Sequence, residues 1–203
     1  ISDTRQLAVD RSLMDYRVGV GRSQGIQFTW LQDNKRIFIS TSNGGLTLRG
    51  NRQGGTNPTA PWAGLGQDTD WSMTARAEFL LEGDWHQFNE FTSRPGSQRA
   101  RMFGIAMHTQ NEERLGAGNT KVDMFGITAD LSMNFDGASL FMSGTFHNVK
   151  NFVGNGKENT DILGYVIQGS TYATDNVELF MRLEGGGFMK DAAGNESIQI
   201  LTS

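Results

Sequence analysis

Three histidines, His86, His108 and His147, are the first residues to weigh for chemistry, and no pair of them has i,i+4 or any other ligand spacing. The chain has no cysteine, which removes thiolate metal sites and disulfide scaffolds. Gly21-Arg22-Ser23-Gln24-Gly25 carries the letters of a G-x-S-x-G nucleophile motif, without the strand–turn–helix context that exposes such a serine. Asn155-Gly156-Lys157 and Gly185–Gly187 lack the Gly-Lys-Ser/Thr run before a helix that cradles phosphate. No nucleophile stands beside a general base. The expectation is a protein that is not an enzyme and holds no metal and no cofactor.

The remaining candidates are charges. Arg11, Arg17 and Arg22 lie in a segment that also holds Asp10, Asp15, Gly19, Gly21 and Gly25. A fixed guanidinium in a narrow aqueous passage attracts anions and repels cations. The plainer reading is that Arg11 pairs with Asp10 or Asp15 and only holds its segment in place. Arg76, Glu78, Asp130, Glu178 and Arg182 sit instead within alternating runs, always on the polar parity. What they do depends on the elements that carry them.

Those elements are strands. From Val122 to Phe135, Phe125, Ile127, Ala129, Leu131, Met133 and Phe135 share one parity, and Gly126, Thr128, Asp130, Ser132 and Asn134 the other. Asp136-Gly137 turns the chain, and Leu140, Met142, Gly144 and Phe146 then alternate with Ser139, Ser143, Thr145 and His147. Asp-Gly between two period-two runs is a strong hairpin signal. The arms run roughly ten to fourteen residues, whereas strands in soluble proteins average about five or six and a tilted membrane strand needs about nine to eleven. Length and pattern predict a transmembrane hairpin.

Bulk composition agrees with that reading. The chain has 203 residues, 26 glycines and only 3 prolines, which suits many strands and turns. Mean hydropathy is −0.42, and no run approaches the roughly eighteen apolar residues of a membrane helix. A barrel needs apolar residues only on alternate positions. The net charge of −4 argues against a nucleic-acid partner, which would call for a basic face.

Further alternation marks Gly25–Leu31, Arg36–Ser42, Trp71–Glu82, Ala100–Thr109, Leu163–Gln168 and Val177–Glu184, so about eight strands and part of a ninth are expected. Tight turns fall at 32–35, 136–137 and 174–176, and long polar loops at 43–69, 110–119, 148–159 and 185–196. Short turns alternating with long loops are the habit of outer-membrane barrels. Gly83–Gln98 breaks the rule, being long on the short side, with Trp85, Phe88 and Phe91 spaced as in a short helix or hooked loop. Glu82 and Glu184 share the polar parity, and His108 and His147 are expected there as simple polar residues. Arg101 matches Phe103 in parity and is expected at the membrane rim. Trp30, Trp71, Trp85 and Tyr172 fall at strand ends, where aromatic girdles lie. The chain opens on Ile1 and closes on Ile198–Ser203, which reads as part of a strand, so an internal fragment of a longer protein is expected.

Two stretches resemble the phosphate-selective porin family, the O and P type, and its planctomycete-like relatives. The first is QLAVDRSLMDYRVGVGRSQGIQF, Gln6–Phe28, similar to the family's acidic-Arg-Ser-Leu segment and the Gly-Arg…Gly element that leads into a strand. The second is YATDNVELFMRLEGG, Tyr172–Gly186, similar to a hairpin whose short turn precedes a Glu-Leu-x-x-Arg strand. The resemblance implies a single transmembrane antiparallel up-and-down barrel domain of about sixteen strands, of which residues 24–203 supply about half. It places residues 1–23 in or beside a constriction loop, with Arg11, Arg17 and Arg22 as its ion-binding residues. It also implies a homotrimer in the bacterial outer membrane, in contact with lipid or lipopolysaccharide, passing small hydrophilic solutes or ions such as phosphate. One departure stands out: the family's selectivity rests on many lumenal Arg and Lys, whereas here the expected lining carries Glu78, Glu82, Asp130, Glu178 and Glu184.

The main alternative is a small barrel with a structural role, its interior filled by side chains and without channel activity. A soluble barrel or sandwich that binds a ligand is a third reading, against which strand length counts.

Overall fold

The computed structural model describes residues 25–42, 69–112, 123–150, 159–190 and 197–202, which form a single nine-stranded antiparallel sheet in sequence order. The strands are β1 (Gly25–Leu31), β2 (Lys35–Ser42), β3 (Thr69–Glu82), β4 (Ala100–Glu112), β5 (Asp123–Phe135), β6 (Ala138–Lys150), β7 (Asn159–Thr174), β8 (Val177–Lys190) and β9 (Ser197–Thr202). Each pairs only with its neighbours in sequence, and β1 and β9 are the two edges, so the sheet is open. The helical content of the described residues is one 3-10 turn, Trp85–Phe88. The chain is therefore all-β and up-and-down.

The sheet inverts the usual polarity. In β5, Phe125 and Ile127 are 42% and 40% exposed, while Asp130 and Asn134 on the opposite face are 7% and 5% exposed. Large apolar side chains stand exposed along the same face on β3, β4, β7 and β8, through Met73, Ile105, Met107, Ile167, Leu179 and Met181. The polar parity of the sequence is thus the buried face. His108, His147, Gln168, Arg182 and Glu184 all lie on it, with His108 level with His147 across Gly126 and Gln168 directly opposite Arg182.

Strands β4, β6, β7 and β8 run further than the alternation alone marks. β7 has 16 residues, and β8 continues through Gly185–Gly187. Those glycines had the look of a loop, yet they pair with Tyr165, Gly164 and Leu163 in unbroken ladder order. A backbone ladder does not depend on side-chain hydrophobicity, so it extends past the point where the pattern fades.

The turn end is fixed by local chemistry. Asp136-Gly137 joins β5 to β6 with Gly137 at φ 68°, the left-handed region a two-residue hairpin turn requires. A register shift between Leu80 and Glu82 sets Glu82 opposite Arg101. Glu82 therefore leaves the polar row expected for it and bonds Arg101 at 2.7 Å, an exposed pair at the rim. The connections at the opposite end, and residues 1–24 with Arg11, Arg17 and Arg22, lie outside the described residues.

A side chain added at position 137 meets no atom closer than 3.6 Å, so Gly137→Ala tests backbone strain alone. It should cost about 1–2 kcal/mol in urea unfolding of the refolded protein. Gly144→Ala meets nothing within 4 Å and has no positive φ, and should be close to neutral. Equal costs at the two sites would show that the turn conformation does not matter.

Candidate functional site

The polar face is built in layers, and its central layer is an ion network held by a missing side chain. Glu78, Gly104, Asp130, Ser143, Val166 and Glu184 follow one another across β3 to β8 in one transverse row. Arg76, one residue pair along β3, bonds Asp130 through both terminal nitrogens, at 2.6 and 3.0 Å. Its Nε donates to Glu78 at 2.8 Å. Asp130 is two strands away from Arg76, so the guanidinium must lie flat over β4. Gly104 permits this. A Cβ there would stand 2.3 Å from the Arg76 Nη2 and 2.7 Å from the Asp130 carboxylate oxygens.

On β8, Glu184 of this row lies 3.6 Å from Arg182, two residues back along the strand, with 5% and 4% side-chain exposure. The bidentate guanidinium–carboxylate geometry of Arg76 and Asp130 makes that contact directional as well as charged. Sequence parity assigned Arg76, Glu78, Asp130 and Arg182 to one face, and the structure brings the first three into one network. Glu178 lies apart, at the turn end.

Toward the loop end, His108 accepts or donates at both ring nitrogens, to Thr74 at 2.7 Å and to Gln110 at 3.2 Å. His147 lies over Gly126, where a Cβ would come within 2.7 Å of its ring. Register places His108, Gly126 and His147 in one row. Spacing along the chain does not reveal this neighbourhood, because the intervening residues fold back through two hairpins. Among the described residues no three His, Asp or Glu side chains group as metal ligands.

At the turn end the connection Gly83–Arg99 leaves β3 and crosses the polar face. Asn134 on β5 donates to the Gln87 carbonyl at 2.6 Å, and Ser139 on β6 donates to that of Phe91. Phe91 packs edge-on against Phe141, with ring centroids 5.2 Å apart. Thr92 donates to Glu178 on β8 at 3.0 Å and shares a 3.1 Å hydrogen bond with Tyr172 on β7. Buried Ser93 donates to the Phe135 carbonyl at 2.6 Å, and the Gly96 amide donates to Asp136 at 2.6 Å. Asn134, Ser139, Phe141, Tyr172 and Glu178 all have the polar parity, so this strap lies on the buried face.

The expected aromatic belt divides accordingly. Trp30 and Trp71 stand exposed on the apolar face near opposite ends of their strands. Tyr172 is on the polar face, held by the strap. Trp85 belongs to the 3-10 turn, where its indole donates to the Asp33 carbonyl at 2.8 Å and Arg36 stacks 3.9 Å above the ring. Sequence reading missed Gly104, Thr92 and Gln110. Only Gly104 left a trace, as a glycine on the polar parity opposite two acidic positions.

Comparison of the chain with protein-family models, with curated proteins and with solved structures finds no match. Among the described residues no helix is long and apolar enough to cross a membrane, which says nothing of a membrane β-barrel.

The Arg76–Asp130 contact predicts non-additive energetics. Asp130→Ala should cost about 3 kcal/mol, because the partly buried guanidinium loses the partner of both its terminal nitrogens and keeps only Glu78 at Nε. Gly104→Ala should cost about 1–2 kcal/mol, because Arg76 keeps Glu78. Combined, the two should cost clearly less than their sum in a denaturation double-mutant cycle. Strict additivity would mean that Gly104 does not serve this pair.

Proposed function

We propose that the chain forms part of the wall of an outer-membrane β-barrel that acts as a porin, passing small hydrophilic solutes or ions, and that it does no covalent chemistry. One observation carries the reading: along strands of 13 to 16 residues, large apolar side chains such as Phe125, Ile127, Ile167 and Met181 are exposed, while Asp130, Arg182 and Glu184 are buried. In water that arrangement is unfavourable, since exposed apolar surface costs about 25 cal/mol per Å². Against hydrocarbon it is the favourable one. A 13-residue strand is roughly 43 Å long, and tilted by about 45° it rises about 30 Å, the thickness of a bilayer core. Trp30 and Trp71 then stand where interfacial aromatics belong.

The bacterial outer membrane follows as the location, because closed barrels of this strand length belong there. The phosphate-selective porin family, its sixteen-stranded closure, trimeric assembly and lipopolysaccharide contact enter as proposals that rest on the two motif stretches alone. Charge on the polar face sets the solute class. There Arg76 and Arg182 stand against Glu78, Asp130, Glu178 and Glu184, so any preference for anions such as phosphate falls to Arg11, Arg17 and Arg22.

A second reading, a plugged structural barrel, is favoured by a separate observation: three of the inward charges are nearly inaccessible, Asp130 at 7% and Arg182 and Glu184 each at 4% exposed.

Planar-bilayer recording under a salt gradient separates the two. A porin gives stable conductance steps, with a reversal potential whose sign reports anion or cation preference. Correctly inserted protein that never conducts would leave only the plugged barrel. Detergent dependence tests the membrane itself: Ile127→Arg should cost about 2–4 kcal/mol in lipid. If the protein is soluble without detergent and Ile127→Arg is tolerated, both membrane readings fail.

A further inference from the structure

We propose that the strap Gly83–Arg99 is a releasable plug that closes the turn-side mouth of the polar face and sets whether the pore conducts. The inference rests on the porin reading and deepens it. Two neighbouring antiparallel strands, β3 and β4, need only a two-residue turn. This connection instead reaches β8 and returns, four inter-strand spacings or about 19 Å along the sheet. Its tip contacts inward-facing side chains on β5, β6, β7 and β8, which are the residues that would ring the mouth.

The way it is fastened differs at base and tip. The base is stapled. Gln87 accepts from the Asp84 amide at 2.8 Å and donates to the Gln98 carbonyl at 2.7 Å, while Trp85 holds the Asp33 carbonyl. The tip is tethered through single hydroxyl, amide and aromatic contacts: Thr92 to Glu178 and Tyr172, Ser93 to the Phe135 carbonyl, the Arg94 carbonyl and the Gly96 amide to the Asp136-Gly137 turn, Ser139 to the Phe91 carbonyl, and Phe91 on Phe141. None of these tip contacts joins opposite charges. A segment anchored at its base and held at its tip by single contacts, none of them part of the strand ladder, can swing off the mouth without unravelling the sheet. Ser170 lies in the ring just within: it is 7% exposed and shares a 2.8 Å hydrogen bond with Ser139.

The absence of cysteine from the chain makes the test clean. Ser170→Cys is introduced alone and together with Phe91→Ala, Thr92→Ala and Ser93→Ala, which remove the aromatic and hydroxyl tethers that the strap's own side chains supply. Each protein is reconstituted in liposomes and exposed to a membrane-impermeant maleimide, and each is recorded in planar bilayers. The proposal expects tenfold or faster labelling of the introduced thiol in the loosened protein, with a parallel rise in open probability. Labelling that does not change overturns the plug, even if both proteins conduct. Faster labelling with no conductance in either protein overturns the porin reading, and the gate falls with it. A loosened protein that conducts no more often than its parent, although it labels faster, overturns the gate and leaves the porin. Band-shift on unheated gels verifies that both variants are folded.

Discussion

The constraint behind this structure is that one face of the sheet is given over to apolar side chains, so every charge must be satisfied on the other. Lipid or any apolar neighbour on the Phe125–Ile127 face would accept no stray carboxylate. Arg76, Glu78, Asp130, Arg182 and Glu184 therefore turn the same way and must neutralise one another there. Burial makes the requirement strict, because an isolated buried charge costs several kcal/mol while a well-formed pair recovers much of that. The Arg76–Asp130–Glu78 network answers the requirement within one transverse row.

That answer depends on glycine. On a sheet the inward side chains of adjacent strands stand side by side, and a long side chain that is to reach two strands away needs a low position between. Gly104 supplies it for Arg76, and Gly126 does so for His147. The charged and aromatic heads then lie along the wall instead of projecting from it. A wall built this way presents its charges edge-on, as neutralised pairs, which is different from a ring of free guanidinium groups pointing at a passing solute.

The strands were readable in the sequence because alternation is enforced by the pleat itself. From Met124 to Phe146 the side chains fall on the face their parity indicates, and Asp136-Gly137 marks the turn between. Three things escaped for physical reasons. Strand ends rich in glycine, such as Gly185–Gly187, carry no polarity signal although their backbone still pairs. The β-bulge before Glu82 changes parity locally, and nothing in the residue types announces it. Contacts across strands, such as Arg76 with Asp130 or Thr92 with Glu178, depend on register, which chain spacing does not encode.

On the proposed reading, the strap lets the same face be both satisfied and accessible. A permanent plug would be expected to bury apolar surface, since that is the strongest non-directional means of holding two elements together. Here one aromatic pair, Phe91 on Phe141, is joined by small hydroxyls and amides, each of which exchanges a protein partner for water at modest cost. The groups left behind on Asn134, Ser139, Tyr172 and Glu178 are themselves polar, so water entering the mouth would find partners for them all. A polar lining that can be wetted and a tether that can be exchanged for water are the same chemical choice. The residue types at the tip of Gly83–Arg99 fit a closure that opens better than they fit a seal.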